Sequence, residues 1–232
     1  MDWIEGRFNI VTEKIRGLKD KVRGNQLLDL GSDDGKYAEA FVRMGFEVDC
    51  VDRDENNLRM LRERNCGISR AYRMTFEELN INRKYDLIWA GEVLEHVENS
   101  YKFLQKIKSL MKPVSYLVLT TPNGESFTRF LQELTPGTWK GWNKEHKFLY
   151  NLDQLKLDLQ SFFEPQNIQL WGFFIIPPLA HCKIFHPLPI LNYSDMDYAI
   201  WDLITEKARF VYTEKEWQIR FCFTLGAVCK NG

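Results

Sequence analysis

Apolar and polar positions along the first half of the chain switch repeatedly between two periods. Ile10–Val22 carries apolar residues at helix-like intervals with charges between them, which predicts an amphipathic helix ahead of the core. Gln26–Leu30 is a short apolar strand, and Tyr37–Met44 returns to the helical period until Gly45 stops it. Glu47–Asp52 predicts a second strand and Glu55–Arg64 a helix that closes before Gly67. Ser69–Met74 and Tyr85–Ala90 add two strands, Ser100–Met111 a helix ended by Pro113, and Ser115–Thr120 a fifth strand. Strands alternating with helices of about ten residues predict an α/β fold whose parallel sheet is covered on both faces.

After Thr121 the rhythm breaks. Pro122–Lys144 reads as irregular, Leu152–Phe162 as a helix and Asn167–Ile176 as a strand. A Pro-rich excursion follows, with a helix expected near Met196–Phe210, and Trp217–Cys229 closes as an apolar run. One domain over residues 1–232 is expected, with two insertions at about 123–150 and 177–214. Insertions beyond the carboxyl ends of parallel strands form the substrate side of such folds.

Composition narrows the class. An apolar share of 44%, a charged share of 27% and a net charge of −1 describe a globular chain without the basic excess of a general polyanion binder. Of its 32 aromatic residues, only 12 precede Gly124, so the excess belongs to the expected substrate side. The five cysteines are scattered and never spaced C-x-x-C, which fits neither a disulfide framework nor a zinc knuckle and points to a reducing, cytoplasmic setting. Trp171–Leu191, the most apolar stretch, is interrupted by four prolines and is not expected to span a membrane.

The sharpest local signal is Leu27-Leu28-Asp29-Leu30-Gly31-Ser32-Asp33-Asp34-Gly35-Lys36-Tyr37, a strand running through a glycine-bracketed turn into a helix. Gly31 and Gly35 permit a tight turn whose backbone can approach a ligand. Asp52 ends the next strand, where an acid can accept both hydroxyls of a ribose. Neither the dinucleotide fingerprint nor a Walker loop is present, because three non-glycine residues separate Gly31 from Gly35.

This turn resembles the D/E-x-G-x-G-x-G motif of class I S-adenosylmethionine-dependent methyltransferases, and the likeness runs from about Gln26 to Phe163. It implies a Rossmann-like methyltransferase sheet, mostly parallel with its last strand antiparallel, and S-adenosylmethionine as cofactor. By the resemblance, Asp29, Gly31, Ser32, Asp33 and Gly35 line the methionine end, Asp52 holds the ribose and Arg53 lies over the adenine. Thr75 and Phe76 form the adenine wall, and Ala90 and Gly91 lie beside the methionine portion. The middle glycine of the family turn is Asp33 here; its carboxylate attracts an ammonium and a sulfonium but fills room that glycine leaves.

Beyond the fourth strand, a helix starting near Glu92 would project Glu92, Glu95 and His96 on one face at i, i+3 and i+4. Two carboxylates and an imidazole make a partial site for Mg²⁺ or Mn²⁺, and His146 is available as a fourth ligand or as a base. Glu92 and His146 are therefore the candidate catalytic groups. This E-x-x-E-H run with a later His resembles ubiquinone-pathway O-methyltransferases and small-RNA 3′-end 2′-O-methyltransferases. Thr120–Phe127 and Glu145–Phe148 are also similar to runs in the RNA group.

Trp139 and Trp142, interleaved with Lys140 and Lys144, and Asn123 are candidate substrate contacts. The leading expectation is O-methylation of a small molecule: a sugar, a phenolic or quinone precursor, or a lipid-linked intermediate. The charge balance ranks an RNA 2′-O-methyltransferase second, and Asp33 motivates a third reading, a non-catalytic binding protein on the same fold.

Overall fold

A computed structural model describes residues 3–126, 145–176 and 209–232. Helix α1 (Trp3–Lys19) is followed by β1 (Gln26–Leu30), α2 (Lys36–Arg43), β2 (Glu47–Asp52), α3 (Glu55–Glu63), β3 (Arg70–Arg73) and β4 (Tyr85–Gly91). A 3-10 turn at Leu94–His96 precedes α4 (Ser100–Leu110) and β5 (Met111–Pro122). Then come α5 (Leu152–Gln160), β6 (Ile168–Ile176), β7 (Arg209–Thr213), the single-turn α6 (Glu216–Ile219) and β8 (Thr224–Asn231).

The eight strands form one sheet in the order β3-β2-β1-β4-β5-β8-β6-β7. Pairs from β3 through β5 are parallel, whereas β8 runs antiparallel to both β5 and β6. The Rossmann-like sheet with an antiparallel last strand is thus present, and β7 adds a second antiparallel strand at the edge. That strand corrects the end of the helix expected near Met196–Phe210: Arg209 and Phe210 open β7, and the rest of that segment lies outside the described residues. The run Phe210-Val211-Tyr212-Thr213 is aromatic and β-branched, a composition that favours a pleated surface.

Two apolar layers cover the sheet. Val11 and Ile15 of α1, Phe41 of α2 and Leu58 and Leu61 of α3 bury one face together with Leu27, Val48, Trp89 and Trp171. Leu104 and Ile107 of α4 and Leu155 and Leu159 of α5 bury the other against Leu28, Ile88 and Leu117. Leu27 and Leu28 therefore face opposite layers, as the strand period requires, and each such burial contributes ~1.5–3 kcal/mol.

Two boundaries differ from the pattern for local reasons. Helix α4 ends at Leu110 rather than Met111, and β5 begins at once. Pro113 and a left-handed Val114 (φ +57°) break the β4–β5 register between Met111 and Tyr116. Helix α5 starts on a capping box, where Asn151 accepts from the Gln154 N–H and Gln154 accepts in return from the Asn151 N–H. It is held to the end of β5 because Asn123 bridges Tyr150 and the Gly124 N–H donates to the Tyr150 carbonyl at 2.7 Å.

Cys50, Cys222 and Cys229 are buried free thiols, and Cys66 is a half-buried one. Among the described residues no helix is long and apolar enough to cross a membrane.

Candidate active site

Strand order reverses between β1 and β4, and the crevice outside the carboxyl ends of these strands is where parallel sheets bind ligands. The β1–α2 turn reaches it through three left-handed residues, Gly31 (φ +72°), Asp33 (φ +47°) and Gly35 (φ +83°). The N–H groups of Gly31 and Ser32 donate to the Val51 carbonyl at 2.8 and 3.1 Å, tying the turn to β2. A Cβ at Gly31 would come within 2.9 Å of Val93 Cγ2, and one at Gly35 would collide with Leu61. Asp33 occupies a region that aspartate tolerates better than most non-glycine residues.

Asp29 lies beneath this turn, 1% exposed, and neither carboxylate oxygen has a hydrogen-bond partner. Burial pushes its carboxyl up to about 8, with the Asp52 and Asp33 charges adding to the effect. An acid buried without a donor is costly, and an ammonium placed over it would restore the ionised form. Asp52 is differently placed. Its Oδ1 accepts from the Asp54 N–H at 2.8 Å and the Asn57 amide at 3.3 Å, and its Oδ2 accepts from the Asp33 N–H at 2.9 Å. With two acceptor positions per oxygen, both at Oδ1 are taken and one at Oδ2 is left.

Phe76 packs edge-on against Phe103 at 5.6 Å, and its Cζ is 3.7 Å from where a Gly31 Cβ would stand, beside the turn. Thr75 is spent locally, its hydroxyl donating to Glu78 Oε2 at 3.0 Å and accepting from the Glu78 N–H at 3.3 Å. Ser32 is buried in the turn, and Ala90 and Gly91 close β4, where any Cβ at Gly91 would strike the Trp89 ring. Arg53, assigned to the adenine by resemblance, forms an exposed ion pair with Glu145.

The helix expected to begin near Glu92 does not form there. Glu92 is left-handed (φ +54°), its N–H donates to the Thr120 carbonyl at 2.9 Å, and only the three-residue turn Leu94–His96 follows. The i, i+3, i+4 face is therefore absent, and Glu92 lies 3.6 Å from Arg7 of α1, outside the group of ligand atoms that meet though close enough for its charge to act on Glu95. Glu95, His96 and His146 do meet: one ligand atom of each lies within 4.8 Å of the others. Glu95 is fully buried. Thr121 Oγ1 donates to its Oε2 at 3.0 Å, while Oε1 has no hydrogen bond and lies 3.9 Å from His96 Nε2. Burial, and then the Glu92 charge, hold the Glu95 carboxyl well above the usual carboxylate range.

His146 arrives from the far side of the insertion. The Lys147 and Phe148 N–H groups donate to the Glu95 carbonyl at 2.7 and 3.3 Å, and His96 Nδ1 donates to the Glu145 carbonyl at 3.3 Å. That tautomer leaves His96 Nε2 with its lone pair toward the cluster. The two imidazoles sit edge-to-face at 4.9 Å, and burial with the His96 neighbour lowers the proton affinity of His146. A cleft of about 430 Å³ opens between the Leu94–Ser100 and Lys147–Asp158 segments; its lining is largely polar, with Glu98, Asn99, Gln154 and Asp158 beside Leu94 and Phe148, and Glu95, His96 and His146 are not part of it.

Asn123 does not face this cleft. Its amide donates to the Arg220 and Cys222 carbonyls at 2.9 and 2.8 Å and its Oδ1 accepts from the Glu125 N–H, so its polar atoms serve the backbone. Trp139 and Trp142 lie outside the described residues. Arg7 was not singled out from the sequence. It precedes Val11 and Ile15 at four-residue intervals, a cation on the buried stripe of α1, and that misplaced charge was the available signal.

The sequence profile of a methyltransferase domain matches residues 5–162. The ubiquinone biosynthesis O-methyltransferase of Rickettsia bellii is 26% identical over 168 residues, 71% of this chain and 70% of that protein. Its counterpart in Nitrobacter winogradskyi is 33% identical over 103 residues, covering 43% of this chain and 40% of that protein. Among solved structures, a SAM-dependent methyltransferase of Archaeoglobus fulgidus superposes with a TM-score of 0.57 at 18% identity, over 96% of this chain and 94% of that one. A plantazolicin methyltransferase holding S-adenosylhomocysteine gives 0.62 at 14% identity, over 98% of this chain and 85% of that one. These two structural likenesses speak to the fold.

Proposed function

The chain belongs to the methyltransferase-domain family and is an S-adenosylmethionine-dependent methyltransferase, and from that premise we propose that it methylates a hydroxyl of a small molecule with the help of a divalent cation at Glu95, His96 and His146. The observation that carries the metal assignment is the buried Glu95 Oε1, without a hydrogen bond and facing two imidazoles. The names of the ubiquinone-pathway relatives support oxygen as the methylated atom.

The residues fit both groups. Asp29 offers two unpaired carboxylate oxygens to the cofactor ammonium, and the Gly31 turn leaves the space that a Cβ would fill. Asp52 Oδ2 offers its remaining acceptor position to the ribose, and Phe76 provides an apolar wall beside the turn. S-adenosylmethionine supplies a sulfonium methyl for in-line transfer, and a divalent cation lowers the pKa of the acceptor hydroxyl.

Thr121 holds Glu95 by Oε2 so that Oε1 stays directed at the cluster. One carboxylate and two imidazoles suit a first-row ion such as Mn²⁺ better than the oxygen-seeking Mg²⁺, and three protein donors leave positions for two adjacent acceptor oxygens. His146, kept neutral by burial, presents a lone pair either to the cation or to the proton of the acceptor hydroxyl. The neutral charge balance supports a small acceptor over RNA.

Methyl transfer to catechol-type and sugar-diol acceptors, measured with Mn²⁺ or with EDTA, tests this reading. Turnover that falls at least tenfold in EDTA and in His96→Ala supports it. Turnover indifferent to both moves the role to a metal-free His146, and transfer confined to RNA 3′ ends overturns the small acceptor.

A further inference from the structure

We propose that Asp33 makes the cofactor loop discriminate by charge, favouring the cationic sulfonium cofactor over the neutral thioether product, so that product leaves more readily than cofactor. The inference rests on the S-adenosylmethionine reading and goes beyond it in assigning a role to one residue.

Three carboxylates converge on the β1–α2 turn: Asp29 beneath it, Asp33 within it and Asp52 across from it. They are mechanically joined, because the Asp33 N–H donates to Asp52 Oδ2 at 2.9 Å. A buried group that awaits a ligand stands among them, since both Asp29 oxygens lack any hydrogen bond at 1% exposure. The neighbouring cations are engaged elsewhere. Arg64 pairs with Asp34 and Glu39, Arg53 pairs with Glu145, and the Lys36 ammonium lies 4.9 Å over the Phe8 ring. Among the described residues no ion pair is formed to Asp29, Asp33 or Asp52, so the negative charge of the turn is left for a ligand to balance.

S-adenosylmethionine brings two cationic groups, its ammonium and its sulfonium, and S-adenosylhomocysteine brings only the ammonium. In that reading Asp29 takes the ammonium, and Asp52, which already accepts three hydrogen bonds, keeps its remaining acceptor position for the ribose. Asp33 is the additional carboxylate, at the position where similar loops carry glycine and no charge. Its left-handed φ of +47° makes the substitution testable without backbone strain, because asparagine and glycine both adopt that conformation. Asp33 is exposed, so water screens its carboxylate and its proposed effect on a sulfonium is moderate and falls with salt.

The test is isothermal titration of the full chain with S-adenosylmethionine, with an analogue bearing a charged amine in place of the sulfonium, and with S-adenosylhomocysteine. Wild type, Asp33→Asn and Asp33→Gly are compared at low and high salt, with thermal unfolding to verify that each variant folds. The expected result is a preference for the two cations over S-adenosylhomocysteine that falls roughly fivefold or more in both variants, through weaker cation binding, and that salt erodes only in wild type. A preference unchanged by either substitution, with all three ligands still bound, overturns the role of Asp33 and leaves the cofactor reading intact. Failure of every ligand to bind any folded variant overturns both.

Discussion

Replacing Glu95 with Gln removes the one anionic donor of the Glu95–His96–His146 cluster while keeping its shape. Burial and the Glu92 charge hold the Glu95 proton well above the usual range, so a divalent ion must displace it. His146 adds no competing proton at neutral pH, because burial lowers its proton affinity. One proton released per ion makes the apparent affinity for Mn²⁺ rise up to about tenfold per pH unit between pH 6 and 8. An ion at a hundred times its Kd stabilises the fold by about 2.7 kcal/mol, or ~5–10 °C in Tm for a chain of this length.

The metal-free sign is opposite. A folded carboxyl that holds its proton more tightly than the unfolded one gives stability that is full in acid and lost as pH rises through its folded value. Metal-free Glu95→Gln should therefore overtake wild type by pH 8, while wild type with Mn²⁺ should exceed the variant. Differential scanning fluorimetry with Mn²⁺ or EDTA across pH 6–8.5 reads both orders. Equal Mn²⁺ shifts in the two proteins, or a wild-type shift that ignores pH, would refute the proton-displacing site.

Asp29→Asn should weaken S-adenosylhomocysteine binding by roughly 10- to 100-fold, the loss of a charge-assisted hydrogen bond, measured by calorimetry. In the ligand-free protein the wild-type Tm should fall relative to this variant from about pH 4 to about 8, because the Asp29 carboxyl is pushed up to about 8; parallel profiles would contradict that. Gly35→Ala meets both a left-handed backbone and the Leu61 side chain, and should cost ~2–5 kcal/mol in urea unfolding; a near-native midpoint would deny the strain. Asn123→Ala should lower stability by about 2–4 kcal/mol with no selective rise in acceptor KM, whereas a KM effect in a protein of normal stability would restore it as a substrate contact.

Strands β1, β2 and β4 could be read from the chain because each is a short, largely apolar run, whereas β3, Arg-Ala-Tyr-Arg, is legible mainly from its place in the alternation with helices, which leaves few sheet arrangements. The turn at Gly31–Gly35 was legible because its backbone requirement is written in glycine. What escaped was set by tertiary contacts. Glu92 carries no sign of its left-handed backbone, which the Thr120 carbonyl and the end of β4 impose, so Glu95 and His96 come together without the helical face that their spacing from Glu92 predicts. His146 joins Glu95 through backbone bonds that no local pattern announces. The pairing of Arg53 with Glu145 likewise depends on a segment 92 residues away.

The place of β8 has a consequence for how the molecule assembles. It follows β6 and β7 in the chain yet lies between β5 and β6 in the sheet. Until Thr224–Asn231 is in position, the inner edge of β5 stays an open row of backbone donors and acceptors, and the β6–β7 ribbon has no strand joining it to the cofactor half. Ser115 must wait for Asn231, a separation that places a late, long-range closure at the centre of the sheet. The cofactor half can therefore take shape early during synthesis, while the β6–β7 ribbon is joined to it only after β8 has emerged. A vulnerable, strand-hungry intermediate is built into this order of pairing, and chaperone dependence or aggregation on refolding would be its visible cost.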